Sequence, residues 1–265
     1  MKSLRFPALC VIIALIAACA ESPTGRRQIL LFSDGEMSQM GATAFDDMKQ
    51  KMTVTRDGKT NAYVSCVADA ITRSLPSEWR GSWEVVVFDD PSANAFALPG
   101  KKIGVHTGIF KVATNADQLA TVVGHEVAHV IAQHSAERMS LQSVAGTGTQ
   151  LVGVLLGESQ QKATVMGLLG LGAQYGVVLP YGRAQESEAD VYGLDLMAKS
   201  GFNPVASISL WENMSAASQG QPPEFMSTHP SHQTRIKDLQ KQLRTAEPLY
   251  RQAQANGVRP NCKAI

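Results

Sequence analysis

The chain has 265 residues, and its 24 Lys and Arg almost balance its 23 Asp and Glu, leaving a formal charge of +1. That length suffices for a sizeable buried core, and the balance excludes the basic surplus expected of a nucleic-acid partner. With 44% hydrophobic residues the composition says globular and nothing narrower.

The N-terminus is more specific. Lys2 and Arg5 precede the apolar run "ALCVIIALIAA", which has signal-peptide length and is too short to span a bilayer as a helix. The run ends "LIAAC", small residues followed by a cysteine, as in a bacterial lipobox. Residues 1–18 are therefore expected to be a lipoprotein signal, with Cys19 acylated and residues 19–32 a tether. Ala20, in place of an aspartate, points to the outer membrane, with the rest of the chain facing the periplasm. Membrane attachment is then through lipid, several acyl chains giving stable anchoring. Cys66 and Cys262 remain, and an oxidising compartment allows either a disulfide between them or two free thiols.

In chain order, Ser33 is a suitable N-cap for a helix reaching about Lys51, and a second helical pattern covers about Lys59 to Ser74. "WEVVVF" (83–88) predicts a buried strand, and "NAFALPGKKIGVHTGIF" a strand pair turning at Pro99 and Gly100. A long helix is expected from about Asn115 or Asp117 to Met139. The Gly- and Leu-rich 143–179 stretch reads as a buried helical hairpin, a lid or a membrane-dipping element. Helices follow at Arg183–Ser200 and from Pro204, "SAASQGQPPEFMSTHP" reads as loop, and "SHQTRIKDLQKQL" as a solvated helix.

"GHEVAH" carries the chemistry. Residues four apart on a helix differ by only about 40° around its axis, so His125 and His129 share a face and can take neighbouring corners of a zinc tetrahedron. Glu126, offset by about 100°, stands beside such a metal, positioned to take a proton from the attacking water. His134 lies about 140° beyond His129 and is expected to point away, as a hydrogen-bonded structural residue. No Gly follows the second His and no third His lies six positions on, which excludes the metzincin ligand pattern. The histidines lie among Val122, Val123, Val127, Val130 and Ile131, where a polar group must be paired or coordinated.

A further ligand must come from another element, and "YGRAQESEAD" (181–190) supplies candidates. Glu186 and Asp190 share a stripe with Gly193, Leu194 and Met197 and are expected to point inward. Glu188 aligns with Gln185, Tyr192, Asp195 and Lys199 and is expected to be solvated. Two inward carboxylates suit one metal ligand and one partner for a ligand histidine.

Together "SANAFALPGKKIGVHTGIF", "DQLATVVGHEVAHVIAQHSAERMS", "LPYGRAQESEAD" and "STHPSHQTRI" resemble the gluzincin metallopeptidases of the CAAX prenyl protease and HtpX type. Within these the resemblance is nearest to the LoiP-like lipoproteins of the bacterial envelope. It implies an α+β, mostly α fold: a single zinc metallopeptidase domain over 33–265, with an H-E-x-x-H helix, a second ligand-bearing helix and a small sheet edging the cleft. It implies one zinc ion per chain, held by His125, His129 and Glu186, with Asp190 hydrogen-bonded to a ligand histidine. Asn94, Ala95, Phe96 and Ala97 correspond to the strand bordering the cleft, to which a peptide can add by main-chain hydrogen bonds. His229 in "STHP" corresponds to a residue that either plugs the zinc or assists catalysis; a solvent-exposed loop histidine is the simpler reading. Arg183 either reaches the cleft or is a surface residue. His106 and His232 are read as having no role in the chemistry. Gly182, where a Ser is common, and "PGKK", where Gly-Gly is usual after Pro, depart from the family pattern.

The expected activity is that of a zinc endopeptidase acting on misfolded or misassembled envelope proteins, with Glu126 as general base. The alternative is a lipid-anchored, chaperone-like assembly factor whose zinc is structural or plugged. Neither involves nucleic acid, and the oligomeric state is left open.

Overall fold

The computed structural model describes residues 19–143, 165–169, 171, 182–217, 224–229 and 234–265. The first long helix, α1 (Asp34–Lys51), starts where Ser33 and Glu36 form a reciprocal capping box, each side chain accepting the other's backbone N–H. Helix α2 (Gly58–Arg73) is capped by Asp57, which accepts from the N–H groups of Lys59 and Thr60. Three strands follow, β3 (Glu84–Phe88), β4 (Ala95–Leu98) and β5 (Lys102–His106), in the order β3-β5-β4. β3 runs parallel to β5, and β4 antiparallel to it with Phe96 opposite Gly104. The β4–β5 turn places Gly100 at φ 83° and Lys101 at φ 61°, so Lys101 adopts a left-handed conformation that glycine would take without steric cost. A 3₁₀ turn, Thr107–Lys111, leads to the central helix.

That helix, α3 (Ala116–Ile131), is capped by Asn115 and buries most of its residues, from Gln118 to Ile131. The long helix expected to run to Met139 instead breaks: Gln133 turns left-handed at φ 52°, and α4 (His134–Gln142) sets off in a new direction. Helix α5 (Arg183–Lys199) crosses α3 where glycine meets glycine; a Cβ on Gly193 would lie 2.8 Å from the backbone N of His125. Gly182, its N-cap, offers no side-chain oxygen, and instead donates its N–H to Gln185 Oε1 at 3.2 Å. Helices α6 (Ala206–Ala217), α7 (Glu224–Thr228) and α8 (Arg235–Ala255) follow. Residues 224–228 are thus helical, where a loop was expected, and α6 extends into the same stretch. Most of 143–179 lies outside the described residues; Val165, Met166, Leu168, Leu169 and Leu171 are buried in the apolar cluster that holds Phe45, Phe88 and Phe96.

The expected tether is structured. Strands β1 (Cys19–Glu21) and β2 (Arg27–Ile29) form an antiparallel hairpin. Gln28 Nε2 donates to the Ala132 carbonyl at 2.6 Å, and Ser140 Oγ accepts from Leu31 N at 2.8 Å, fixing the hairpin against the α3–α4 break. At the far end Cys66 of α2 and Cys262 are joined in a disulfide, with Cα atoms 5.5 Å apart. Among the described residues no helix is long and apolar enough to cross a membrane.

Candidate metal centre

The 3.6-residue period of α3 brings His125 and His129 onto one face, with their Nε2 atoms 3.1 Å apart. Helix α5 supplies Glu186, whose oxygens lie 3.6 Å from His125 Nε2 and 3.5 Å from His129 Nε2. His229, just after α7, is the fourth member; one ligand atom from each of the four residues falls within 4.8 Å of all the others. Glu186 is completely buried, yet its Oε1 finds no hydrogen-bond donor among the described residues. Zinc bonded at about 2.0–2.1 Å to tetrahedral donors separates them by about 3.4 Å. The spacings of the two imidazoles and the carboxylate fit that ion, and so does the donor chemistry.

Each α3 histidine is oriented from behind. His125 Nδ1 lies 3.0 Å from Asp190 Oδ1, one turn beyond Glu186 on α5. His129 Nδ1 lies 2.8 Å from His134 Nδ1, and His134 Nε2 lies 3.1 Å from Glu188. Two expectations are corrected here. His134 does not point away, because the break at Gln133 swings its completely buried ring back onto His129. Glu188 is not solvated: it is 5% exposed, covered by the β1–β2 hairpin and bonded to Thr24 and Arg26 from it.

The residue missed in the sequence is Arg235, at the start of α8. Only 2% exposed, it donates to Glu186 Oε2 at 3.0 Å and to Asp190 Oδ1 at 2.6 Å. Its guanidinium stacks 3.7 Å above the Trp211 ring. Of the two readings of Arg183, cleft cation or surface residue, the structure matches the second: it is exposed on the first turn of α5.

Glu126 is 3% exposed, with Oε1 3.5 Å from His229 Nε2. His106 N donates to the Asn94 carbonyl, so along β4 the peptide groups of Ala95 and Ala97 turn toward the outer edge of the sheet. The Ala97 backbone amide on that strand acts to lower the Glu126 carboxyl's value, against burial. His106 itself is completely buried, beside Ser92 and the rings of Phe88 and Phe96. His232 lies outside the described residues.

Burial dominates the electrostatics. It pushes the Glu126 carboxyl up to about 8, against the pull of His125. It also holds His129 well below the ordinary imidazole value and His229 down to about 3, so both rings are neutral and can offer a lone pair. His125 differs: burial opposes its charge, but hydrogen bonds to Asp190 and Glu186 win and raise it to about 9. Glu186 stays well below the carboxylate range despite its own burial, because His229, His125 and His129 surround it.

A mostly helical fold with a small sheet, and a buried three-histidine, one-carboxylate group next to a further buried glutamate, define a zinc metallopeptidase domain. Comparison with known proteins narrows the class. The chain belongs to peptidase family M48, whose model matches residues 51–243. It is 38% identical to mitochondrial metalloendopeptidase OMA1 of Schizosaccharomyces pombe over 62% of this chain and 48% of that protein. It is 29% identical to human OMA1 over 82% of this chain and 44% of that protein. For the beta-barrel assembly-enhancing protease of Escherichia coli the identity is 26%, over 83% and 46%. The chain therefore spans about half the length of the curated relatives it matches.

Proposed function

We propose that this chain is a zinc-dependent endopeptidase in which His125, His129 and Glu186 hold the metal and Glu126 is the general base. The observation that carries the reading is the position of Glu126. Its carboxylate is buried on the helix that carries His125 and His129, with Oε1 3.5 Å from His229 Nε2 of the donor group. Zinc, when bound, supplies the Lewis acid that polarises the scissile carbonyl and activates water. Glu126 accepts a proton from the attacking water and delivers it to the departing amine. Asp190 accepts from His125 Nδ1–H, which directs the Nε2 lone pair toward the metal position, and Arg235 donates to the carboxylates of both Glu186 and Asp190, holding them together. A substrate strand would add along the outward-facing peptide groups of β4.

Within the family we read the chain as a LoiP-like lipoprotein of the CAAX prenyl protease and HtpX type. It has one peptidase domain over 33–265 and is anchored through Cys19 to the periplasmic face of the outer membrane. Its substrates are misfolded or misassembled envelope proteins; the lipobox and the likeness to a beta-barrel assembly-enhancing protease support this. Glu126→Gln tests the chemistry: zinc content should stay at one per chain while cleavage of casein or an unfolded outer-membrane protein disappears. Undiminished cleavage by that variant would remove Glu126 from the mechanism.

One observation favours the second reading, a chaperone-like factor with a plugged site: His229 stands at the fourth corner. If His229 is a plug, His229→Ala speeds proteolysis; if it serves the reaction, the same change slows it.

A further inference from the structure

We propose that Arg26, in the β1–β2 hairpin only seven residues after Cys19, is a positioning residue of the metal site, acting through Glu188 and His134 on His129. The inference rests on His129 being a metal ligand. Arg26 Nε donates to Glu188 Oε2 at 2.7 Å, while its two terminal nitrogens grip Glu137 at 2.5 and 2.8 Å. It thereby clamps α4, which carries Glu137, to α5, which carries Glu188. Gln185 of α5 reinforces the clamp, donating to Glu137 Oε2 at 2.6 Å. Thr24 of the same hairpin donates to Glu188 Oε1 at 2.6 Å.

The chemistry of these groups fixes a direction along the chain of contacts. An ionised Glu188 only accepts, so His134 Nε2 carries the proton at their 3.1 Å contact. Two ring nitrogens 2.8 Å apart need one donor and one acceptor, so with its proton on Nε2 His134 offers the Nδ1 lone pair and accepts from His129 Nδ1–H. His129 then keeps its Nε2 lone pair for the donor cluster. With Arg26 removed, the two buried carboxylates lose their common cation and α4 is no longer held to α5 at this point. His134 then loses the fixed acceptor that selects its tautomer. The arrangement parallels the other ligand, where Arg235 and Asp190 orient His125. The N-terminal hairpin is thus a structural part of the metal site, joined to it by 162 residues of sequence separation between Arg26 and Glu188.

Zinc affinity, measured on the full chain by competition with a chromophoric chelator, tests this directly. Arg26→Ala should bind zinc about 10- to 100-fold more weakly. Arg26→Lys, which keeps the charge but cannot present the two-sided fork, should recover part of the loss. In peptide cleavage at saturating zinc, kcat should fall with KM unchanged. In a His134→Ala background, Arg26→Ala should cost nothing further in zinc affinity, an equality that a general loss of stability would not produce. Wild-type zinc affinity in Arg26→Ala, or losses that multiply in the double variant, overturns the proposal. If Arg26→Ala cannot be purified folded, Arg26→Lys carries the test, and wild-type affinity there overturns it equally. His129→Ala separates the layers: unchanged zinc binding in it would overturn the ligand assignment and this proposal together.

Discussion

Replacing Gly193 with alanine sets two physical effects against each other. In a helix interior alanine is favoured over glycine by about 0.8–1.0 kcal/mol, so local propensity alone would stabilise α5. Packing acts the other way. A Cβ at Gly193 would lie 2.8 Å from His125 N and 2.9 Å from both C and O of Gly124, all backbone atoms of α3. Relieving 2.8 Å to an ordinary contact of about 3.4 Å requires the helices to part by about 0.6 Å at the crossing. Overpacking of this kind costs about 1–3 kcal/mol, more than the propensity gain. Because α3 carries His125 and His129 and α5 carries Glu186, the same displacement stretches the 3.5 and 3.6 Å spacings of the donor group. A misplacement near 1 Å costs about 100-fold in rate, so Gly193→Ala should lower kcat/KM by about 10- to 100-fold and weaken zinc binding. Thermal melting of the metal-free protein, chelator competition and peptide cleavage read the three effects. A variant as stable as the parent, with unchanged zinc affinity and rate, would refute the claim that this crossing sets the site geometry.

Other substitutions test separate parts of the structure. Arg235→Lys keeps the charge but loses the fork shared by Glu186 and Asp190; zinc affinity should fall about 10- to 100-fold, and an unaltered chelator titration would count against its role. Serine at both Cys66 and Cys262 removes a cross-link spanning 196 residues of sequence, and should cost about 2–5 kcal/mol, or about 5–20 °C in the non-reducing melting temperature. Burial raises the Glu137 and Glu188 pKa values, but hydrogen bonds win and leave both depressed in the folded state, Arg26 chief among the donors to Glu137 and His134 to Glu188. Their stabilisation is therefore present above the unfolded value and lost as pH falls below about 4.3. Urea unfolding of the metal-free protein should show Arg26→Gln most destabilised at pH 7 and progressively less so in acid; a pH-independent difference would contradict this.

Much of the site was legible because helical periodicity operates over a few residues. The spacing of His125 and His129, the offset of Glu126 and the inward stripe of Glu186 and Asp190 need no tertiary information. His134 and Glu188 failed for different reasons. The A-Q-H junction has neither Gly nor Pro, so nothing local announces that Gln133 turns left-handed and redirects His134. Glu188 lies on the face of α5 opposite the apolar stripe, and the hairpin that buries it comes from more than 160 residues away. Arg235 left a fainter signal. It is in phase with Leu239, Ala246 and Ala253, the buried positions of α8, and an arginine on an apolar stripe requires a buried anionic partner.

The Cys66–Cys262 bond also turns most of the chain into a covalent ring. His125, Glu126, His129, Glu186, Asp190, His229 and Arg235 all lie inside it, as do the turns between their helices. A single backbone cut within the ring, by a neighbouring copy or by another protease, leaves one molecule of unchanged mass apart from an added water. Both fragments stay linked until a reductant opens the ring. Self-cleavage there would be invisible on a non-reducing gel and plain on a reducing one, and the nicked molecule could keep its metal and its shape.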